Sequence, residues 1–317
     1  MKMKKTQGAS LLTRPLIVTL LASFCCLLWG SAIPMINLGY RLFAIAEGAT
    51  ATQILFAGCR FFLAGVLTLL IAAAQRRGSV RLRASGWSKA VRLAMVQTVA
   101  QYVFFYIGVA HTESVKGSII LGLSAFVAIL TACYLFRSER MNALKWLGGL
   151  IGVAGVVLVN LDGTKLDASV SLTGEGFLLI SMLASACSAG MIKRYGQSES
   201  PVALSGWQFV IGGAVMAAAG ALLGGRLHPQ RAEAVIVLLY LAALSAVAYT
   251  LWAVLLKANP VSRVAVYMFL EPVFGVLLSL ALVNSQTGVS LLRCCAALVL
   301  VCLSILIIGR GQKEEGV

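Results

Sequence analysis

Gly58-Cys59-Arg60-Phe61-Phe62-Leu63-Ala64-Gly65 returns 148 residues later as Gly206-Trp207-Gln208-Phe209-Val210-Ile211-Gly212-Gly213, with both glycine ends and the central phenylalanine kept. Further along, an offset of 147 lays Tyr102 over Tyr249, Phe105 over Trp252, Lys116 over Arg263, Ile129-Leu130 over Val276-Leu277 and Leu135 over Leu282. The change of offset costs one inserted loop residue. Five apolar stretches precede the midpoint and five follow it, so each unit has an odd number of spans and the second is inverted in the membrane. Inverted repeats allow one sequence to reach two mirror-related conformations around a central site.

The ten stretches lie near 15–36, 53–74, 89–110, 114–135, 143–161, 174–193, 202–223, 235–257, 263–284 and 289–309. Each approaches the roughly 20 apolar residues that a helix needs to cross the hydrocarbon. With 60% apolar residues, 12% charged residues and a mean hydropathy of +0.92 in 317 residues, the chain exceeds the usual apolar share of a soluble domain. Period-2 alternation is absent, so the spans are expected to be helices, which satisfy their own backbone hydrogen bonds. The expectation is an all-α polytopic membrane protein of ten helices, divided into repeats 1–162 and 163–317.

The net charge of +15 sorts by side of the membrane. One set of helix ends holds Lys2, Lys4, Lys5, Arg14, Arg76, Arg77, Arg81, Arg83, Lys89, Arg92, Arg137, Arg140, Lys145, Lys193, Arg194, Lys257, Arg263, Arg310 and Lys313. The other holds only Arg41, Lys116, Lys165, Arg226, Arg231 and Arg293, which places both termini in the cytoplasm. No basic face interleaved with aromatics remains to bind nucleic acid. The basic start and the apolar run from Leu16 resemble a secretory signal, but the run continues past Trp29 and nine more spans follow, so it reads as an uncleaved first helix.

The eight cysteines fall within spans and look like small core residues. His111 and His228, the only histidines, sit near outer helix ends, leaving nothing for an intramembrane histidine relay or metal site. HExxH, GxSxG, CxxC and GxxxxGK[ST] are all missing, and no loop can house a nucleotide-binding domain. No cofactor or metal is expected, and ATP-driven transport on this chain is excluded.

Ionisable residues in mid-membrane cost about 2.5–3.5 kcal/mol each on insertion scales and so mark function. Arg60 and Glu271 qualify, each lying within roughly 5 Å of the midplane at about 1.5 Å per residue from its span centre. Glu271 precedes Pro272, which leaves the carbonyl four residues back without a helical partner. The bland alternative is an Arg60–Glu271 ion pair that holds the halves together. Glu175 and Lys116 lie at outer helix ends, where solvation is expected. Gln97, Gln101 and Tyr102 form a polar face on span three, matched by Ser245, Tyr249 and Trp252 on span eight. A glutamine near the midplane is costly against lipid, so these faces should point at a cavity. Ser181, Ser185 and Ser188, and the glycines from Gly148 to Gly155 in span five, suit close helix packing.

Trp29-Gly30-Ser31 with Pro34 in span one, Arg60-Phe61 with Ala64-Gly65 in span two and Glu139 after span four carry a resemblance to a known family. The glycine-rich span five and Glu271-Pro272-Val273-Phe274 in span nine add to it. In these residues, in their order and in its ten spans, the chain resembles the EamA-like branch of the drug/metabolite transporter (DMT) superfamily over roughly residues 15–309. The resemblance implies a ten-helix fold with a central cavity between the halves, spans five and ten at the far edge, and movement of small metabolites. It departs from the family pattern at Ala125, where a proline is usual, and at Asn284-Ser285-Gln286, where an acid is usual.

The preferred reading is a secondary transporter of the inner membrane that exports a small polar or amphipathic metabolite, such as an amino acid or derivative, by alternating access. Trp29, Tyr102, Tyr249 and Trp252 would stack on it, Gln97, Gln101 and Gln208 would hydrogen-bond it, and Arg60 and Glu271 would complement its charge. Coupling to protons through Glu271 is an open expectation. The partners are then the substrate, the lipid bilayer and protons, with no nucleic acid, and the chain acts as a monomer or weak homo-oligomer. A passive facilitator, a non-transporting membrane subunit and an enzyme on a lipid-linked substrate are the rival readings. No paired carboxylates or histidine constellation at the membrane surface speak for the enzyme.

Overall fold

The structure, a computed structural model, describes residues 11–46, 48–74, 80–112, 114–160, 171–283 and 291–314. Among the described residues ten helices are long and apolar enough to span a membrane: α1 (Pro15–Leu42), α2 (Thr50–Ala74), α3 (Ala84–Ala110), α4 (Lys116–Leu135) and α5 (Ala143–Asn160) in the first half. The second half has α6 (Leu172–Tyr195), α7 (Pro201–Leu222), α8 (Ala232–Ala258), α9 (Val261–Leu278) and α10 (Leu292–Gly311). The architecture is the expected all-α one. The boundary expected between residues 162 and 163 and the triplet Asn284-Ser285-Gln286 lie outside the described residues.

Local signals set several helix ends. Pro15 and Pro201 occupy the first turns of α1 and α7, where a missing N–H costs nothing. Ser200 caps α7 by accepting from the Ala203 amide (3.5 Å). Ser171 caps α6 by accepting from the Gly174 amide (2.8 Å), while Glu175 accepts from the Ser171 amide (2.9 Å), a reciprocal arrangement of the capping-box kind. Gly224 follows α7 with φ of +88°, a conformation that a side chain would strain.

That capping bond corrects one expectation. Glu175 is not solvated: it is 9% exposed and paired with Lys116 across the α4–α6 contact (3.8 Å). The amide of Ser171 draws the carboxylate inward, and the ammonium of α4 then neutralises it.

The helices pack in pairs that respect the repeat. α2 packs along α7 and α5 along α10; α1 meets α8 and α9, as α6 meets α3 and α4. Glycines bring α2 and α7 backbone to backbone: a Cβ at Gly58 would lie 2.2 Å from the Ala217 nitrogen, and one at Gly213 2.2 Å from the Phe62 nitrogen. Small residues let helices approach in this way where lipid offers no hydrophobic drive for association. On α5, Gly148 faces Ile308 and Gly155 faces Val301 of α10, while Gly152 receives the Phe269 ring of α9. The small-residue surface of span five is therefore a seam to α10 and α9.

Three helices are irregular beside the centre, α4 by a break at Leu123 between the cavity-lining Gly122 and Ser124. Ala94–Ala100 of α3 is wound as a π-helix and Val266–Phe269 of α9 as a 3-10 turn just before Glu271-Pro272. Wider π-turns recur at functional sites because they change the direction in which side chains point. The Tyr267 carbonyl in the 3-10 turn accepts from Cys26 Sγ (3.1 Å), which ties α9 to α1.

Candidate functional site

A cavity of about 370 Å³ lies between α1, α3, α4, α6, α8 and α9. Eight of the nine expected site residues line it: Trp29, Arg60, Gln97, Gln101, Tyr102, Tyr249, Trp252 and Glu271. Trp29 stands edge-on to Tyr249 (5.1 Å between ring centres) and to Trp252 (4.9 Å). The hydroxyls of Tyr102 and Tyr249 hydrogen-bond to each other, joining two residues related by the repeat. Behind them Phe61 packs on Tyr102 and stacks on Phe209, and Phe209 meets Tyr249 edge-on, so the aromatic wall is buttressed on both sides.

Arg60 is 2% exposed. Its Nε donates to Ser245 Oγ (3.0 Å), and its guanidinium lies 5.0 Å from the centre of the Phe61 ring. Ser245 in turn donates to the Leu241 carbonyl, which fixes its lone pairs toward the arginine. Glu271 lines the same cavity, half-buried, beside Pro272. Both are described residues, and no ion pair joins them or either one to another side chain. The cavity therefore carries one guanidinium and one carboxylate, each without a counter-ion. A buried charge left so is costly unless something completes it.

Neutral groups are poised similarly. Buried polar atoms in folded proteins nearly always have a partner. Among the described residues, Trp29 Nε1 and Gln101 Oε1 are buried and have none, although both residues line the cavity. Ser181 Oγ donates to the Gln101 carbonyl (2.7 Å), which joins α6 to α3 at that level. Ser185 and Ser188 line the cavity as well.

Gln208 departs from expectation. It does not line the cavity; it is fully buried on α7, and its Oε1 accepts from Thr98 Oγ1 of α3 (2.7 Å). The glycine seam is the cause, since it presses α7 against α2 and α3 and turns this polar side chain into the helix contact. Sequence reading also missed Ser118, Ser124 and Asn160, which line the cavity. Ser124 could have been found, since the offset of 147 lays it under Glu271.

Ser118 and Asn160 belong to the helix ends remote from the termini, so the cavity extends that way. At the opposite end, polar contacts tie the halves together. Glu139, after α4, accepts from the Ser262 amide (3.1 Å) and hydroxyl and from Lys145 Nζ (3.3 Å). Lys193 Nζ donates to the Asn259 carbonyl (2.7 Å), and Asn259 Nδ2 donates to the Leu12 carbonyl (3.0 Å).

Ten helices long enough to span a membrane, packed as exchanged pairs around a polar, aromatic-lined central cavity, define a polytopic all-α membrane fold. The sequence matches the EamA-like transporter family over residues 16–161 and 172–310, and the chain belongs to that family, within the DMT superfamily. It is 28% identical over 210 residues to an uncharacterized transporter of Synechocystis sp., covering 62% of this chain and 60% of that one. It is 25% identical to a chloroplastic WAT1-related protein of Arabidopsis thaliana, covering 72% and 56%. It thus spans less than two thirds of the length of these two relatives. With the uncharacterized transporter YvbV of Bacillus subtilis it shares 24% identity over 298 residues, 93% of this chain and 92% of that one. A solved crystal structure superposes with a TM-score of 0.73 at 15% identity over 93% of this chain and 98% of the other, which shows the common fold. The chain is thus a multi-pass membrane protein of that transporter family.

Proposed function

We propose that the chain is a secondary transporter that exports a small amphipathic zwitterion, an amino acid or close derivative, across the inner membrane. The observation that carries this is the pair of uncompensated opposite charges, Arg60 and Glu271, in one aromatic-walled cavity. A substrate carboxylate on the guanidinium and an ammonium on the carboxylate would neutralise both at once, with charge-assisted hydrogen bonds about twice as strong as neutral ones. Trp29, Tyr102, Tyr249 and Trp252 form the apolar wall, while Trp29 Nε1 and Gln101 Oε1 offer the directional contacts that such a pocket needs. Gln97 lies on the same lining, and Gln208 acts through Thr98 to position α3.

The halves 1–162 and 163–317 are the units that move against one another in alternating access. The polar ties of Glu139, Lys193 and Asn259 close the end that bears the termini, so this conformation faces the opposite side. The excess of basic residues at the terminus-bearing end makes it cytoplasmic and the cavity mouth external. A reporter fused after Gly78 should then read cytoplasmic.

The substrate class is tested by comparing metabolites inside and outside cells with and without the protein, then by counterflow of the accumulated compound in proteoliposomes. Depletion of an amino acid or derivative inside the expressing cells supports the assignment. Accumulation of an uncharged compound instead would remove the role given to the two charges. Proton coupling through Glu271 predicts that Glu271→Gln folds normally and loses the response of flux to an imposed pH gradient. Flux that ignores the gradient in the unmutated protein would make it a passive facilitator.

A further inference from the structure

A second cavity, also of about 370 Å³, opens at the terminus-bearing end between α4, α6 and α8. Ser138 and Phe136, just beyond α4, line one side; Lys193 and Arg194 of α6, Gln197 beyond it and Lys257 of α8 line the other. Three cations thus converge on one concavity that has no carboxylate in its lining. The acids nearby are engaged elsewhere, Glu139 by Lys145 and Ser262, Glu199 by Lys89 (3.6 Å). Lys193 and Lys257 turn their ammonium groups to backbone carbonyls, and neither forms an ion pair among the described residues. Arg194 makes no hydrogen bond or ion pair among the described residues.

A general excess of basic residues at this end would scatter cations over the surface; here three of them share one pocket, whose other polar residues, Ser138 and Gln197, give their donors to backbone carbonyls. Next to the lining residue Phe136, on the last turn of α4, Tyr134 and Leu135 are 60% and 62% exposed. Basic pockets between spanning helices take phosphate headgroups, and each cation adds to the attraction. We propose that this pocket binds the phosphate headgroup of an anionic phospholipid from the adjoining leaflet, with its acyl chains over Tyr134 and Leu135. The bound phosphate bridges α6 and α8 at the end where Lys193 already ties them.

The test uses the full-length purified protein, native mass spectrometry and two probe lipids, phosphatidylglycerol and phosphatidylcholine. The unmutated protein and Arg92→Gln, which removes an exposed cation of the same end outside the pocket, should retain phosphatidylglycerol over phosphatidylcholine. Arg194→Gln should weaken that preference roughly fivefold, and Arg194→Gln with Lys257→Gln roughly 30-fold, at about a factor of five per cation. Arg194 is exposed and bonded to nothing described, so its single variant folds even where the double one does not. An undiminished preference in Arg194→Gln, or equal retention of both lipids by the unmutated protein, overturns the proposal. Inorganic phosphate that displaces the lipid at low millimolar concentration would assign the pocket to the free anion and overturn the lipid as its source. None of these readouts depends on transport.

Discussion

Arg60 and Gln208 occupy the same place in the two halves, and so, at the second offset, do Ser245 and Thr98. Arg60 of α2 bonds Ser245 of α8; Gln208 of α7 bonds Thr98 of α3. Equivalent pairs of residues are thus bonded twice with donor and acceptor exchanged, once by an arginine that donates and reaches the cavity and once by a buried glutamine that accepts. Glu271 repeats the pattern, since its counterpart Ser124 also lines the cavity but carries no charge. The frame of the molecule is symmetric and its electrostatics are not. Both cavity charges sit where the other half keeps a neutral polar residue, so the charged site proposed above lies at the two positions where the halves depart from the repeat.

Where the halves agree, substitutions should strike the fold. Gly58 and Gly213 lie on the two sides of the α2–α7 seam, and neither has room for a Cβ because backbone atoms, not flexible side-chain ends, stand 2.2 Å away. Gly58→Val and Gly213→Val should each force the helices apart, at a cost of about 1–3 kcal/mol or more per overpacked site. The expected outcome is loss of monodisperse protein in size-exclusion chromatography for both variants. A well-folded Gly213→Val protein would break the symmetric frame.

Where the halves differ, substitutions should strike transport. Arg60→Gln makes the first half resemble the second: Ser245 keeps its bond to the Leu241 carbonyl, and the fold should persist. A hydrogen bond to a charged group is worth about 1.5–3 kcal/mol, so binding of a carboxylate substrate should fall by about 10- to 150-fold. This would be measured as the concentration dependence of counterflow. Unchanged affinity would place the substrate away from Arg60.

The reverse holds for Gln208. Gln208→Met removes the acceptor of the buried Thr98 hydroxyl, a loss of about 1–3 kcal/mol in stability, and should leave substrate affinity as it was. Thermal unfolding and counterflow together separate the two effects. An affinity loss equal to that of Arg60→Gln would bring Gln208 back to the cavity.

The sequence made these distinctions only partly legible. Hydropathy located all ten helices, and the match of Gly58 and Gly65 with Gly206 and Gly213 pointed to the repeat, while the seam these glycines form between α2 and α7 emerged only from the structure. Yet Arg60 and Gln208 looked equally like cavity residues, because a polar side chain in mid-span has to avoid lipid and both a cavity and a helix contact allow that. Only the rotation of α7 set by its seam separates them. The π-wound stretch of α3 likewise shifts the phase of Gln97 relative to Gln101 and Tyr102 in a way that no regular period describes. The Lys116–Glu175 pair escaped notice because residues far apart in sequence meet only once α4 and α6 pack.

The smallest effect concerns a place where the repeat meets itself through a hydrogen bond. Tyr102 and Tyr249 are equivalent residues whose hydroxyls share a single hydrogen bond. Tyr102→Phe and Tyr249→Phe should therefore each cost about 1 kcal/mol, the net worth of one ordinary hydrogen bond. The double variant should cost no more than either single one, because the second substitution has nothing left to remove, and removing both partners spares the penalty of a stranded hydroxyl. A double-mutant cycle on thermal or denaturant unfolding measures this coupling directly. Additive losses would mean that the two hydroxyls have separate partners, with the two halves joined at this level by aromatic packing alone.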